Sequence, residues 1–466
     1  MTSIAAVILS AGKGTRMKSA RPKVLHQACG KPMVSYVIDA ARNSGAKQVI
    51  LVVGHGCEMV REELGENFDY AVQEPQLGTG HALQIALPAV DSSCDKLLVL
   101  CGDTPLLTVP TLVQLSSYFA KTNAACTILT AMMDIPKGYG RIVRDEAGNV
   151  KKIVEEKDAT ATEKDIREIN TGAYFFDKKA LLSVISNLTP NNAQGEYYLT
   201  DAIAFLIDKG HVVNAYVAPD AREIMGVNDR IQLSYAAKVL RWRKLLALMA
   251  SGVTIIDPDS TYIDEDVSVG PDTIIEPQTF LRGVTSLGDN CHIGPDCDIT
   301  DTKIGDHCRV NRAVLWGSQI GSNCTIGPFA YLRPGSVLAD KVKVGDFVEL
   351  KKSTVGAGSK IPHLAYVGDA EIGSGVNVGC GTITCNYDGF AKYPTIIEDG
   401  AFIGSNTNLV APVKIGKNSI VAAGSTITSE VPEDALALGR ARQVNKEGWA
   451  AQKRKMEAEK KKDQPK

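Results

Sequence analysis

A glycine-rich segment near the start of the chain has the composition of an anion-binding loop. Residues 10–18 read SAGKGTRMK and directly follow an apolar run. Gly12 and Gly14 allow backbone amides to converge on an anion. Their order is neither that of a Walker A loop nor the Rossmann G-x-G-x-x-G, so on the glycines alone a plain tight turn remains open. Three cations lie beside them, at Lys13, Arg16 and Lys23. This added charge favours a phosphate site.

Asp103 is a candidate ligand-binding residue. It follows the apolar run 97–101 in the dipeptide Gly102–Asp103. In an open α/β sheet, ligand-binding groups lie just past strand ends, and a carboxylate there can hold a metal ion on phosphate oxygens. A Gly-Asp after a strand can equally be a helix cap, so the residues alone leave both interpretations open.

His363 is the candidate general base in the second half of the chain. It lies in the segment IPHLAY at 361–366, and Glu349, Lys351 and Tyr366 are close to it in sequence. An imidazole can take the proton from an attacking amine. A single histidine in a repeat is also commonly a structural residue, and the residues alone do not decide between the two.

The elements that would position the first two sites are strands alternating with helices. Such alternation predicts a mainly parallel α/β sheet with ligands at the carboxyl ends of its strands. An apolar stripe predicts one further helix over 229–251, ended by Gly252, as a linker. The predicted strands cover residues 4–9, 48–53, 97–101 and 126–132, and the predicted helices begin near Pro32 and Pro110.

Residues 253–431 carry a six-residue repeat in which an aliphatic residue is often followed by glycine, as in Ile293–Gly294 and Ile320–Gly321. Neither the helical nor the strand period matches this spacing, whereas a solenoid with one short strand per repeat does. Three repeats, about 18 residues, close a triangular turn, so each aliphatic side chain stacks on its equivalent in the next turn. The repeat is interrupted once, at 379–395, and an ordered loop that leaves a solenoid is usually functional.

Charge and hydropathy exclude several classes of protein. The net charge of −2 and a pI near 6.4 do not favour nucleic acid or a membrane surface as a partner. No apolar run has membrane-spanning length, and the first residues lack the basic region of a signal peptide. We therefore expect a cytoplasmic protein.

The cysteines are the other feature that needs an interpretation. There are eleven, an odd number, and no C-x-x-C is present. Four of them, Cys291, Cys297, Cys308 and Cys324, fall at the small-residue position of the repeat. We predict reduced, buried thiols at solenoid corners rather than disulfides or a zinc site.

A series of ordered motifs resembles the signature of sugar-nucleotide pyrophosphorylases. They are LSAGKGTRM (9–17), PKVLH (22–26), QLGTGHA (76–82), GDTPL (102–106), GYGRI (138–142), VEEKD (154–158), EINTG (168–172) and QGEYYLTD (194–201). With the solenoid behind them, nearly all of residues 1–445 resembles the bacterial family of bifunctional N-acetylglucosamine-1-phosphate uridyltransferase/glucosamine-1-phosphate acetyltransferases. Two departures are Ala20–Arg21 before the Pro-Lys motif, and Cys380 where that family commonly has alanine.

The resemblance implies the domain organisation. It implies a Rossmann-like nucleotidyltransferase domain at 1–228, a linker helix at 229–251, and a left-handed parallel β-helix at 252–466 that carries an acetyltransferase and a basic tail. It also implies a cytoplasmic homotrimer in which the acetyl site is shared between neighbouring chains.

For the uridyltransferase, the resemblance assigns Arg16 and Lys23 to charge stabilisation at the phosphates and Mg²⁺ to Asp103 and Asn228. It implies that UTP and N-acetylglucosamine-1-phosphate contact Leu9, Ser10, Ala11, Gly12, Lys23, Gln73, Gly78, Thr79, Cys101, Gly102, Asp103, Gly140, Glu155, Asn170 and Asn228.

For the acetyltransferase, the resemblance assigns the base to His363 and its orientation to Glu349. It implies that glucosamine-1-phosphate contacts Arg333, Lys351, Tyr366 and Asn377. It places Cys380, Asn386, Tyr387, Lys392, Ser405, Ala423 and Arg440 on the acetyl-CoA side.

The implied function is a two-step synthesis. Acetyl-CoA acetylates glucosamine-1-phosphate, and uridylyl transfer from UTP then gives UDP-N-acetylglucosamine for peptidoglycan and lipopolysaccharide. One alternative is a nucleotidyltransferase whose solenoid only oligomerises, and a second is a non-enzymatic sugar-phosphate sensor.

Overall fold

The computed structural model describes residues 3–462, which form two compact units. The first contains residues 3–248 and 262–266, and the second contains 249–261 and 267–462. Within this range no helix is both long enough and apolar enough to cross a lipid bilayer.

A nine-stranded mixed sheet forms the centre of the first unit. The strand Glu168–Asp177 is antiparallel to both of its neighbours, whereas the other strand pairs along the main path are parallel. The predicted α/β fold is therefore confirmed, with one reversed strand inside it. The spatial order is Val213–Val217, Cys126–Met132, Glu168–Asp177, Lys96–Cys101, Ile4–Leu9, Ala46–Val53 and Asp69–Val72, with the antiparallel pair Arg141–Arg144 and Val150–Val154 attached to Glu168–Asp177.

Helices cover both faces of this sheet, because its strands are apolar on both sides. In the first strand, Ala5 and Val7 face one apolar core, and Ala6 and Ile8 face the other. The helices of the unit are Met33–Asn43, Cys57–Leu64, Thr79–Ala86, Val109–Thr122, Ala161–Lys164, Lys178–Leu182 and Asp201–Asp208; short strands are Gln27–Ala28, Lys31–Pro32 and Tyr262–Ile263.

The predicted linker is a helix, Arg230–Ala250, within one residue of the expected bounds at each end. Its buried residues Ala236 and Leu240 pack with Met33, Leu106 and Val227 of the first unit. Most of the helix is thus part of the packing of that unit rather than a free-standing bridge.

The second unit is a left-handed parallel β-helix with three flat faces. Its aliphatic residues point inward and stack from turn to turn, as Leu332, Leu350 and Val367 do with at most 1% of each side chain exposed. Strands of the first face are Thr254–Ile255, Ile274–Ile275, His292–Ile293, Arg309–Val310, Thr325–Ile326, Lys343–Asp346, Lys360–His363, Asn377–Val378, Phe402–Ile403, Ile420–Val421 and Leu436–Ala437. Those of the second are Phe280–Arg282, Asp298–Thr300, Val314–Trp316, Tyr331–Leu332, Glu349–Lys351, Tyr366–Gly368, Ile383–Cys385, Asn408–Val410 and Thr426–Ile427. Those of the third are Ser268–Val269, Ser286–Leu287, Lys303–Ile304, Gln319–Ile320, Val337–Leu338, Thr354–Val355, Ala370–Ile372, Thr395–Ile397 and Val413–Ile415. The three faces form a triangular prism, and a helix, Trp449–Lys462, follows it in the chain.

One turn of the β-helix is longer than the others. Lys360 pairs with Asn377, an interval of 17 residues, whereas Asn377 pairs with Phe402, an interval of 25. The strand Ile383–Cys385 keeps its place on the second face, so the extra residues lie between it and Thr395–Ile397. The inserted loop is therefore residues 386–394, shorter than the predicted interruption at 379–395.

The corner cysteines are buried and reduced, as the repeat predicts. Cys291, Cys308 and Cys324 lie in successive turns, each at most 2% exposed. Their thiols donate to the carbonyl oxygens of Gly305, Gly321 and Ala339 at 3.2, 3.1 and 3.2 Å. They replace the hydroxyl of residues such as Thr273, which donates in the same way to Gly288 at 2.9 Å.

Candidate active sites

A cavity of about 500 Å³ opens at the carboxyl ends of the strands Ile4–Leu9 and Lys96–Cys101. This is the end of an α/β sheet where ligands bind. It brings together most of the residues predicted for the uridyltransferase. Its walls are Leu9, Ser10, Ala11, Gly12, Lys13, Lys23, Val24, Gln73, Gln76, Gly78, Thr79, Ala82, Cys101, Asp103 and Glu196.

Lys23 is at the centre of the charged groups beside this cavity. Its ammonium pairs with the Asp103 carboxylate and donates to Oδ1 of Asn228 at 3.2 Å. Arg16 donates to the same Asn228 oxygen at 2.9 Å. Asn228 is itself held in place by its backbone amide, which donates to Oε1 of Gln232 at 2.7 Å. Two oxygen ligands and two cations from distant segments thus converge on one point.

Gly78 closes one side of the cavity. Its φ of +111° suits glycine, and a Cβ atom there would lie 2.7 Å from the carbonyl oxygen of Tyr197. Gln73, which is 4% exposed, donates to the Gly78 carbonyl at 2.9 Å. The loop before the helix Thr79–Ala86 is therefore held in one conformation against the segment 194–201.

The three residues predicted to hold the N-acetylglucosamine moiety form a second group. A Cβ atom on Gly140 would lie 3.4 Å from Oε2 of Glu155 and 3.5 Å from Cβ of Asn170. The Asn170 amide donates to the Gly140 carbonyl at 2.9 Å, and Thr200 donates to Oε1 of Glu155 at 3.3 Å. Burial raises the pKa of Glu155, because removal from water disfavours the carboxylate.

In the second unit, residues predicted for the acetyl site lie in one column along an edge of the prism. Ordinary β-strand spacing separates successive turns by about 4.8 Å. Backbone hydrogen bonds between turns identify the members of the column, since the residue just after each member donates its amide to the carbonyl of the member one turn earlier. These bonds run from Leu364 to Asp346, from Gly381 to His363, from Asn406 to Cys380 and from Gly424 to Ser405. The column therefore runs Asp346, His363, Cys380, Ser405 and Ala423, and Arg440 donates to the Ala423 carbonyl at 2.9 Å.

His363 is paired with Asp346, not with Glu349. Nδ1 of His363 lies 2.5 Å from Oδ1 of Asp346, and the two residues are register partners in adjacent strands. Since a carboxylate accepts only, the Nδ1 proton is donated to it and Nε2 is left to accept. Glu349 instead forms an ion pair with Arg333 at 3.0 Å on the next face. Within one chain the β-helix thus places Glu349 on a different face from His363, and its role in orienting the imidazole stays a prediction.

The predicted sugar-phosphate residues lie on two adjoining faces. Arg333 and Lys351 occupy equivalent positions one turn apart on the second face, and Tyr366 stacks directly after Glu349. Asn377 lies on the first face, in register with Lys360. The arrangement presents two cations at neighbouring levels, which suits a doubly charged phosphate.

The inserted loop is attached to this cationic group at its base. Asn386 is 6% exposed and donates to Asp369 at 2.5 Å, and Lys351 lies 3.4 Å from the same carboxylate. Tyr387 and Lys392 pair with each other across the exposed part of the loop. A side-chain hydrogen bond with Lys351, and then the charge of Lys351, lowers the pKa of Lys392. The loop thus carries a third cation beside the first two.

Comparison with known proteins agrees with this two-site organisation. Family models match as a nucleotidyl transferase over residues 5–243, as the GMPPB C-terminal domain over 255–363, and as six bacterial transferase hexapeptide repeats over 394–429. The "Bifunctional protein GlmU" of Heliobacterium modesticaldum is 54% identical over 97% of this chain and 98% of its own length. The proteins of that name from a Geobacillus species and from Carboxydothermus hydrogenoformans are each 54% identical over 95% of this chain and cover 97% and 99% of their own lengths.

The chain belongs to the bifunctional GlmU family. It is therefore a uridyltransferase and a glucosamine-1-phosphate acetyltransferase, and the alternative of a solenoid that only oligomerises is not favoured. A solved UDP-glucose pyrophosphorylase in complex with UDP-glucose overlaps 52% of this chain and all of that chain, at 16% identity and a TM-score of 0.44, too weak a likeness to bear on function.

One departure from the usual GlmU pattern does not point into the nucleotide cavity. Arg21 donates from Nε to the Leu25 carbonyl at 3.0 Å and pairs with Glu63 at 2.9 Å. The other departure, Cys380, keeps its place in the edge column, where its carbonyl accepts from Asn406 at 2.6 Å.

Two residues that contact this GlmU site were missed by the motif comparison. Asp346 lies 17 residues before His363, one turn of the prism, so counting turns back from the histidine identifies it. Asp369 lies one turn after Lys351 and one turn before Asn386, 18 and 17 positions away, so the same counting of turns identifies it.

Proposed function

We propose that each activity belongs to one unit of the chain: uridylyl transfer to the first and acetyl transfer to the second. Both reactions need charge held in a defined geometry more than they need unusual functional groups. The observation that carries the proposal is that each set of contacting side chains lies within a single unit. Lys23, Arg16, Asp103 and Asn228 all belong to the first unit, and the Asp346–His363 pair belongs to the second.

In acetyl transfer, the amine of glucosamine-1-phosphate attacks the thioester carbonyl of acetyl-CoA. His363 takes the amine proton at Nε2, and Asp346 keeps the imidazole in that tautomer and stabilises the imidazolium that forms. Arg333 and Lys351 hold the sugar phosphate. The bond to sulfur breaks, and coenzyme A leaves as the thiol.

In uridylyl transfer, a phosphate oxygen of N-acetylglucosamine-1-phosphate attacks the α-phosphorus of UTP, and pyrophosphate leaves. Lys23 and Arg16 neutralise charge on the phosphates. Gly140, Glu155 and Asn170 hold the sugar, and the Gly78 loop with Gln73 holds the uridine. The two substrates thus meet beside Lys23.

Mg²⁺ fits this first site. Carboxylate and amide oxygens are suitable ligands for this ion. The side-chain oxygens of Asp103 and Asn228 both contact the Lys23 ammonium, so a cation already lies where a metal ion would be held. Among residues 3–462 no cluster of three or more His, Cys, Asp or Glu could hold a metal ion. The rest of the coordination would therefore come from phosphate oxygens and water, as is usual for Mg²⁺. When bound, the ion supplies charge neutralisation at the phosphate oxygens.

A homotrimer is the assembly that best completes the acetyl site. On one chain the His363 side chain is 55% exposed. Beside it runs an apolar edge of three residues with exposures of 54–57%, Phe329, Phe347 and Leu364, and the two phenylalanine rings stack at 5.4 Å. Large apolar groups exposed beside a site mark a surface that another chain covers. A cytoplasmic location remains a prediction.

The assignment is tested by separating the two reactions with single substitutions. We expect His363→Ala to stop thiol release from acetyl-CoA and to leave pyrophosphate release from UTP and N-acetylglucosamine-1-phosphate intact. Asp103→Ala should do the reverse. Loss of both reactions in either well-folded variant would contradict the assignment of one activity to each unit.

A further inference from the structure

Arg141 is a buried cation next to the sugar pocket of the first unit, and neither reaction uses it. Only 2% of its side chain is exposed. Arginine is rarely buried to this extent unless it is paired, because removing the charge from water is costly. Its position therefore needs a reason.

The guanidinium of Arg141 links its own segment to two others. One nitrogen donates to the carbonyl of Tyr139, and another pairs with Glu156 at 2.8 Å. The second nitrogen also lies 3.4 Å from the carbonyl of Lys164, at the end of a short helix. The planar fork of arginine can make these bonds in fixed directions, which the single ammonium of lysine cannot.

Each of the first two partners is adjacent in the chain to a residue of the sugar pocket. Tyr139 precedes Gly140, and Glu156 follows Glu155. Gly140 and Glu155 approach each other so closely that a Cβ atom on the glycine would be 3.4 Å from the carboxylate. The backbone pairing of Arg141 with Val154 brings these two pocket residues together, and the arginine side chain adds a second link between their neighbours Tyr139 and Glu156.

We propose that Arg141 is a positioning residue that sets the width of the sugar pocket and hence its selectivity for N-acetylglucosamine-1-phosphate. The inference rests on the proposed role of Gly140 and Glu155 in holding this sugar. Arg141 acts through Tyr139 and Glu156 and does not itself contact substrate. Its loss widens the pocket and weakens sugar binding, while the UTP cavity around Gly78 and Asp103 keeps its shape.

The test is Arg141→Lys, which keeps the charge and removes the fork. We expect KM for N-acetylglucosamine-1-phosphate to rise about tenfold, equivalent to roughly 1.4 kcal/mol, with KM for UTP changed less than about twofold. The preference for N-acetylglucosamine-1-phosphate over glucose-1-phosphate, measured as a ratio of kcat/KM, should fall by a similar factor. The acetyltransferase activity of the same variant serves as an internal control, because it shows that the second unit is folded and active.

Glu156→Gln is the second variant, because Glu156 is partly exposed and its loss is less disruptive to folding. It should raise the same KM in the same direction by a smaller factor. Unchanged sugar KM and unchanged selectivity in folded Arg141→Lys and Glu156→Gln would overturn the proposal. Failure of the unsubstituted protein to release pyrophosphate with N-acetylglucosamine-1-phosphate would instead contradict the proposed function itself.

Discussion

Nδ1 of His363 lies 2.5 Å from Oδ1 of Asp346, its register partner one turn earlier in the prism. The contact is a consequence of the fold, because equivalent residues in successive turns stack about one strand spacing apart. The pair is thus supplied by the regular part of the β-helix, and the inserted loop is not needed for its alignment.

Asp346→Asn should reduce kcat of acetyl transfer while leaving uridylyl transfer unchanged. An amide at this position can leave the imidazole in the wrong tautomer and cannot stabilise its cation. Loss of the base itself costs roughly 10²–10⁴-fold, so we expect a decrease within or just below that range. The measurement is the initial rate of thiol release over a range of pH.

Glu349→Gln is the matched comparison for that variant. Since Glu349 pairs with Arg333, its loss should act chiefly on KM for glucosamine-1-phosphate. A normal rate in Asp346→Asn, together with a collapse of kcat in Glu349→Gln, would return the orienting role to Glu349.

Chelation of divalent cations should separate the two activities. We expect EDTA to abolish pyrophosphate release and to leave acetyl transfer unaffected, because only the first unit has the Asp103–Asn228 oxygen pair. Asp103→Asn should raise the Mg²⁺ concentration needed for half-maximal uridylyl transfer by at least about tenfold, since one anionic ligand is lost. Equal inhibition of both activities by EDTA would be incompatible with this.

The stability of the first unit should depend on pH through Glu155. Burial raises the pKa of this carboxyl, so the folded state binds the proton more tightly than the unfolded state. Its favourable contribution is present below the unfolded pKa and is lost as the pH rises through the folded pKa. Glu155→Gln should therefore be more stable than the unsubstituted protein at pH 8 and equal to it at acidic pH, by thermal unfolding.

Glu163 provides the control of opposite sign. Hydrogen bonds from the Thr160 amide and then from Lys152 lower its pKa to about 2. Its contribution is present above the unfolded pKa and is lost as the pH falls through the folded one. Glu163→Gln should lower the Tm at neutral pH, and this difference should disappear in acid. The same sign for both variants would rule out the pKa shifts as the cause.

Thiol labelling should distinguish the corner cysteines from those near the acetyl site. Cys308 and Cys324 are at most 1% exposed, whereas Cys380 and Cys385 are partly exposed. A maleimide applied to the native protein should label Cys380 and Cys385 before Cys308 and Cys324, and acetyl-CoA should slow labelling of Cys380. Modification of Cys308 before either would show that the prism opens more readily than its packing indicates. Mass spectrometry of peptides reports the order.

Much of the architecture could be predicted, because the repeat and the strand pattern are local properties of the sequence. The strand Cys126–Met132 matches its predicted bounds, and the six-residue spacing predicts the β-helix. The reversal of Glu168–Asp177 could not be read in this way, since a strand buried on both faces has the same pattern in either direction. Likewise, the inward position of the strand Ile383–Cys385 is filled by Thr384 and not by an aliphatic residue. The aliphatic period therefore misses this strand, and the start of the loop at Asn386 is given only by the pairing of the strand with Asn408–Val410.

The site residues show the same difference between what a local pattern predicts and what only the folded chain brings together. Motif resemblance found the walls of the nucleotide cavity, because those residues lie in short contiguous segments. It also assigned Glu349 to the orientation of His363, which stays a prediction, since within one chain Glu349 lies on another face and pairs with Arg333. Asp369 was missed because it lies outside the short motifs, although it is one turn from both Lys351 and Asn386.

The edge column from His363 to Arg440 has a length that is fixed by the repeat. Each turn advances by about one strand spacing, so the separation of any two members of the column is a whole number of turns. Removing a single turn between Cys380 and Ala423 would bring His363 and Arg440 closer by one such step. The number of repeats, and not the identity of any one side chain, therefore sets how far apart these two residues lie.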